Sequence, residues 1–350
     1  MKLSREELKW LMKHKLMQAG LREDQADTTA EILTWSDERG YHSHGSVRVE
    51  YYSERIAKGG ITLDPKFEWK ETGPCTGIFE GDNGIGYVAA KLAMEHGIEM
   101  ARRSGVAVVG IRNISHSGTI GYYTDMAAQK GLVAISFCQS DPMVVPFGGA
   151  EPYYGTNPIS FAAPAADGRT VVFDMATTVQ AWGKILDRRS RGESIPEGWA
   201  VDANGAPVTD PHKVNALCPA SGAKGYGLMM MVDIFSGILL GLPFGGHVSS
   251  MYHDLSQGRN LGQMHIVIDP DRFVGRDAFA KTMAQCLDEL GQLPAAPGHR
   301  KVYYPGERAE LRRKEAYATG GIEIVDDIVD YLRSDTVHFD RYDHKNRFAD

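Results

Sequence analysis

The chain has 350 residues, 43% of them hydrophobic, with a formal net charge of −7 and a pI near 6.0. That length exceeds what a single core normally serves, so at least two lobes are expected. The acidic balance excludes a dedicated nucleic-acid binder, which carries a basic surplus, but leaves room for a small anion held by local Arg and Lys. In chain order, Ser4 with Glu7 makes a capping box ahead of Leu8, Leu11 and Leu16, and Gly20 closes this first helix. A second helix is expected over about 22–38, stopping at Gly40, and a third follows the polar and aromatic run YHSHGSVR. The N-terminal region therefore reads as all-helical.

From about Phe67 the pattern changes. β-Branched runs at 106–111, 132–137, 171–174 and 265–268 alternate with helical stretches at 87–103, 121–130, 225–240 and 276–290, which is the mark of an α/β core. Asp167-Gly168, between FAAPAA and RTVVFDM, is a hairpin turn and makes at least part of the sheet antiparallel. Residues 184–222, rich in Pro, Gly and polar groups, are expected to form an extended surface excursion. After about Lys301 one more helix is expected (326–333), then a fraying polar end. The division that follows is a helical lobe of residues 1–70 packed with 300–350, and an α/β core of residues 71–300.

The opening MKLSREELKW is charged throughout and lacks the apolar run of a leader. The apolar stretch 227–246 is interrupted by Asp233, glycines and Pro243, which favours a buried helix over a membrane span. Four scattered cysteines read as free thiols in a reducing compartment. A cytoplasmic protein is expected.

Gly84-Ile85-Gly86-Tyr87-Val88-Ala89 matches the G-x-G-x-x-A dinucleotide fingerprint. The preceding TGIFEGDN is short and polar, and the run VAVVGI ends in Arg112-Asn113 where that fold places an acid, so a plain helix-opening turn is favoured.

Three other constellations carry chemistry. His116 lies in the loop RNISHSG directly after the strand 106–111, where an imidazole can take a hydroxyl proton near neutral pH; a loop histidine bonded to the backbone is the plain alternative. If a helix begins near Ser43, His44, Arg48 and Tyr52 share one face, and Arg48 can clamp a carboxylate through two parallel hydrogen bonds. A solvated amphipathic helix is the alternative there, and His42 with His44 lacks a third ligand at metal spacing. Glycine-bearing loops supply the third: Lys224 beside a helix start suits a pyrophosphate, and Asp174 at a strand end suits ribose hydroxyls or an ordinary cap. This set fits hydride transfer to a nucleotide, and it also fits a metal-dependent hydrolase or lyase, or a non-catalytic nucleotide-binding module.

The segments SHGSVR, NISHSGTIGYY, GTNPISFAAP, FDMATT, KGYGL and PGER, in this order along essentially the whole chain, resemble the malate/L-lactate dehydrogenase family. That resemblance implies a non-Rossmann NAD(P)-dependent dehydrogenase fold, with a largely antiparallel or mixed sheet and a helical N-terminal lobe. It implies a small 2-hydroxy acid as substrate, with malate, L-lactate, sulfolactate and keto-gulonate among the alternatives. NAD is the expected cofactor ahead of NADP, no metal is expected, and the assembly is a homodimer or larger, with the site near a subunit boundary. Residue by residue, it implies His116 as acid/base, Arg48 on the carboxylate, and His44 and Tyr52 near the substrate. Ser140, Asp174, Met175, Ala176, Lys224, Gly306, Glu307 and Arg308 fall at cofactor positions. To these we add Asp141 as an orienter of His116, and Arg259 with Asn260 as contacts for the far end of the substrate.

Overall fold

The computed structural model describes residues 1–343; residues 344–350, the end of the segment expected to pack with the N-terminal lobe and to fray, lie outside them. The chain opens with a short strand β1 (Lys2–Leu3) and helices α1 (Arg5–Gln18), α2 (Glu23–Glu38) and α3 (Arg48–Ala57). Ser4 Oγ accepts the Glu7 N–H at 3.0 Å and fixes the start of α1, whose Leu8, Leu11, Met12 and Leu16 are buried. Each such side chain contributes about 1.5–3 kcal/mol by leaving water. A 3-10 turn occupies His42–His44, so α3 begins at Arg48, later than the spacing of His44, Arg48 and Tyr52 suggests.

Next come β2 (Glu68–Gly73), β3 (Thr76–Glu80), α4 (Gly86–Ser104), β4 (Val106–Ile114), α5 (Gly121–Ala128) and β5 (Val133–Cys138). The hairpin β6 (Ile159–Pro164) and β7 (Thr170–Met175) turns at Asp167-Gly168, and is followed by α6 (Trp182–Ser190), β8 (Ala200–Val201), β9 (Ala216–Leu217) and α7 (Ala223–Ser236). The chain finishes with β10 (Leu261–Ile268), α8 (Arg276–Gln292), α9 (Glu307–Ala318), β11 (Ile322–Glu323) and α10 (Asp326–Arg333). Seven strands form one mixed sheet in the order β2-β3-β4-β10-β5-β6-β7, in which only β3 and β4 run parallel. Helices α4 and α5 cover one face and α7 the other, where Val232, Leu240 and Leu242 meet Phe137 and Met264.

Several expectations need correction. TGIFE is a strand after all, because Phe79 is buried and its register beside Ile111 is fixed, so β3-α4-β4 is a genuine parallel βαβ unit. It still offers no open phosphate site. The Gly86 N–H donates to Ser115 Oγ at 2.9 Å and Ser115 N–H to Gly84 O, so the loop carrying His116 closes the start of α4. Residues 184–222 are a folded sublobe, not an extended excursion: Ile185, Ile195, Val208 and Leu217 share an apolar cluster with Met143, Val144, Tyr154 and Met229. Helix α9 is an element beyond the single C-terminal helix expected. Helix α7 is less than half buried over its apolar window, because Leu228, Met230 and Ile234 point outward.

The two ends of the chain meet. β1 pairs antiparallel with β11, Lys15 Nζ caps the backbone beyond α10 through Ser334 O and Thr336 O, and Glu54 accepts the N–H groups of Arg341 and Tyr342. Helix α3 is thereby backed by the last described segment.

Candidate active site

At one end of the sheet, in the order β4-β10-β5-β6-β7, lie the end of β4 at Ile114, the start of β10 at Leu261, the end of β5 at Cys138, the start of β6 at Ile159 and the end of β7 at Met175. The residues just beyond these ends are His116, Arg259, Ser140 with Asp141, Asn157, and Ala176. Four strand spacings of about 4.8 Å place β4 and β7 roughly 19 Å apart. His116, Arg259, Ser140, Asp141, Asp174, Met175 and Ala176, drawn from distant parts of the sequence, therefore gather at one end of the sheet.

His116 is the centre of the first group. Its Nδ1 lies 2.6 Å from the Tyr52 hydroxyl, which is 2.8 Å from the Tyr87 hydroxyl. The two tyrosines are fully buried, whereas His116, His44 and Arg48 keep some exposure. The His44 ring is 5.9 Å from that of His116. Arg48 directs Nε to Ser43 O at 2.7 Å and Nη1 to the Tyr252 hydroxyl at 3.0 Å, leaving Nη2 for a ligand. Burial, followed by the cost of protonating it beside His44 and by the positive charges of Arg48 and Arg259, pushes the His116 imidazole well below its usual range. Burial and Arg48 likewise bring His44 down to about 3, so both rings are neutral at pH 7.

Asp141 does not orient His116. Because β10 lies between β4 and β5, Asp141 is separated from His116 and instead accepts the Met251 N–H at 3.1 Å and faces Arg259 at 3.7 Å. Arg259 is buried, and its Nε and Nη2 are bound to Ser249, while Nη1 is buried without a hydrogen-bond partner. Asn260 is exposed and lines a hollow with Glu68, Glu80, Asp82 and Asn83; the structure does not bring it to the base. His42 turns to Asp37 at 3.0 Å, and among the described residues no three His, Cys, Asp or Glu side chains gather where a metal would be held. Tyr87 and Tyr252 went unnoticed in the sequence. The first stands inside the GIGYVA motif, and nothing about the second marks it out.

The second group runs along β5, β6 and β7. Ser140 Oγ bonds Thr156 Oγ1 at 3.0 Å, Thr177 N–H reaches Thr156 O, and Ala220 N–H reaches Thr177 O, tying Ser140, the residues after β7 and the turn before α7 together. Lys224 lies exposed in the first turn of α7. One Asp174 oxygen accepts the Gly121 N–H at the start of α5 at 2.7 Å. Gly306 (φ +89°) packs against β7 so closely that a Cβ would stand 2.8 Å from Val172 O, which brings Glu307 and Arg308 to the same strand. Thr178 Oγ1, past the end of β7, and Glu307 Oε2, next to the Gly306 that packs on Val172, are buried without a hydrogen-bond partner. The donor set fits a dinucleotide.

A neutral histidine, a guanidinium with an unbound nitrogen, and polar groups at the ends of β5, β6 and β7 fit a dehydrogenase of small hydroxy acids built without a Rossmann domain. The chain belongs to the malate/L-lactate dehydrogenase family, whose model matches residues 3–333. It is 58% identical over 349 residues, all of both chains, to the Escherichia coli (strain K12) protein named ureidoglycolate dehydrogenase (NAD(+)). It is 36% identical over 327 residues to malate dehydrogenase of Pyrococcus abyssi, covering 91% of this chain and 89% of that one. The solved sulfolactate dehydrogenase of Methanocaldococcus jannaschii superposes with a TM-score of 0.88 at 34% identity, covering 95% and 96% of the two chains.

Proposed function

We propose that this protein oxidises (S)-ureidoglycolate to oxalurate with NAD, in the use of allantoin as a nitrogen source. The observation that carries the reading is the end-to-end 58% identity to the relative of that name, together with Arg48 close enough to His116 to lower its imidazole further. In this reading Arg48 Nη2 holds the substrate carboxylate and His116 Nε2 takes the C2 hydroxyl proton. NAD, when bound, supplies the hydride acceptor. Ser140, Asp174, Met175, Ala176, Lys224, Gly306, Glu307 and Arg308 would hold it. The unpartnered Arg259 Nη1 is a donor kept for the ureido oxygen, since a buried guanidinium proton without an acceptor is costly until a ligand supplies one.

The test is reduction of NAD followed by absorbance with (S)-ureidoglycolate, malate, lactate and sulfolactate side by side. Fast turnover with ureidoglycolate alone is expected. Preference for malate or sulfolactate would keep the chemistry and discard the substrate.

Asp174 gives a second check. Burial lifts its carboxyl to about 6 against the opposing Gly121 N–H bond. Above pH 6 it is ionised and accepts hydrogen bonds; below, it is protonated, and NADH affinity is expected to fall by up to roughly tenfold per unit. A fluorescence titration of NADH between pH 5 and 8 measures this, and a flat profile would take Asp174 off the cofactor.

We also infer a cytoplasmic homodimer or larger homo-oligomer. Support comes from four free cysteines and from the outward apolar strip Leu228, Met230, Ile234, Ile238 and Leu239, which a second copy would cover. Sedimentation above the 38.5 kDa of one chain is the expected result.

A further inference from the structure

Two guanidinium groups stand close enough to His116 for their charge to bear on its ring, Arg48 and Arg259, and they differ in what balances them. Arg48 spends Nε on Ser43 O and Nη1 on the Tyr252 hydroxyl, both uncharged, and among the described residues no carboxylate pairs with it. Its charge is open to an incoming anion. Arg259 already has one: Asp141 Oδ1 lies 3.7 Å from its Nη2, and the side chains of Arg259 and Asp141 are only 1% and 7% exposed. Its Nη1 is nevertheless buried without a hydrogen-bond partner, so what Arg259 lacks is an acceptor and not a counter-charge. Arg55, buried near enough to feel Arg259, is bound to Gln257 O and the Tyr51 hydroxyl, and Asp254 opposes its charge.

We propose that the Asp141–Arg259 pair is the specificity determinant for the far end of the substrate: it accepts a neutral carbonyl and turns away a second anion, so the site selects monoanionic 2-hydroxy acids over dianionic ones such as malate and sulfolactate. This rests on the reading that Arg48 holds the carboxylate and Arg259 the far end. The pair is fixed by its surroundings. Ser249 Oγ accepts from Arg259 Nε at 3.0 Å and donates to Arg259 O at 2.8 Å, while Ser249 O accepts from Nη2 at 2.9 Å. Asp141 Oδ2 accepts the Met251 N–H at 3.1 Å, and Met251 O accepts from the Tyr51 hydroxyl at 3.0 Å. The guanidinium cannot swing away from Asp141 without breaking the Ser249 bonds, and Asp141 cannot withdraw without freeing Met251. A carboxylate or sulfonate brought to Nη1 would therefore share one buried cation with a buried carboxylate, leaving a net negative charge out of water. An amide or ureido oxygen makes the missing bond and adds no charge.

The measurement compares two acids of nearly equal size that differ in the charge of the far end, malate and its 4-amide, each as a substrate with NAD and as a competitive inhibitor. Wild-type kcat/KM is expected to be about 10- to 100-fold higher for the amide. Asp141→Asn keeps an oxygen for the Met251 N–H and removes the charge. In it the amide-to-malate ratio should fall by about the same factor, chiefly through a lower KM for malate, with NADH affinity near wild type. A wild-type protein that favours malate, or treats the two acids alike (rejection of both included), would overturn the proposal, and this needs no variant to fold. A ratio unmoved by a folded Asp141→Asn would overturn it too. The two readings fail by separate results. Turnover of ureidoglycolate with no preference for the amide would sink the charge rule alone, and a clear preference for the amide without turnover of ureidoglycolate would sink the proposed substrate alone.

Discussion

His116→Ala is expected to lower kcat for hydroxy-acid oxidation by roughly 10²–10⁴ while NADH affinity stays near wild type. The reasoning is positional. His116 stands beyond β4, at the opposite end of the five-strand edge from the candidate cofactor residues after β7, so deleting its ring removes the proton acceptor and leaves the groove along β5, β6 and β7 in place. Steady-state kinetics with a parallel NADH titration separate the two, and lost NADH binding would show that the histidine belongs to the cofactor. The sign of the pH effect follows from the same surroundings. Burial and the charges of Arg48 and Arg259 hold the imidazole neutral well below its usual range, so oxidation persists as pH falls through 6.5 and fails only lower down. The reverse reaction starts from the protonated ring, and 2-oxo-acid reduction is expected to gain as pH drops. A bound carboxylate on Arg48 offsets one of the nearby charges and eases that protonation.

Arg48→Lys is expected to reduce kcat/KM by about 10², chiefly through KM. The guanidinium is aimed by two of its own bonds, Nε to Ser43 O and Nη1 to Tyr252, and presents the remainder of its plane to the ligand. An ammonium has the charge but neither the plane nor enough donors to keep both anchors and still bind a carboxylate. Losing one or two charge-assisted bonds at about 1.5–3 kcal/mol each accounts for that factor. Kinetics unchanged by Arg48→Lys would remove Arg48 from the substrate.

Much of the site is legible in the sequence, for a physical reason. His44, Arg48 and Tyr52 fall within nine residues of one helix start, and His116 stands just past a strand end, so local periodicity alone groups them. What escapes is whatever the sheet order decides. β10, which starts at Leu261, enters between β4 and β5 from far downstream, which puts Arg259 near His116 and turns Asp141 away from it. No local signal carries that insertion. Helix α9 escapes for another reason: only Ala309 of ERAELRRKEAYA is buried, so it has no apolar stripe to show. In the 184–222 sublobe the core residues are spaced irregularly, at 185, 195, 200, 208, 214 and 217, and match neither helical nor strand periodicity. Tyr87 was in plain view but inside a motif read only for its glycines.

The meeting of β1 with β11, and of α3 with the backbone at 341–342, has a bearing on how the enzyme is made. Translation delivers α3, with Arg48 and Tyr52, among the earliest residues, and delivers its backing among the last. Contacts separated by nearly 290 residues form late and slowly. A polypeptide still on the ribosome therefore carries α3 without the segment that backs it in the finished fold.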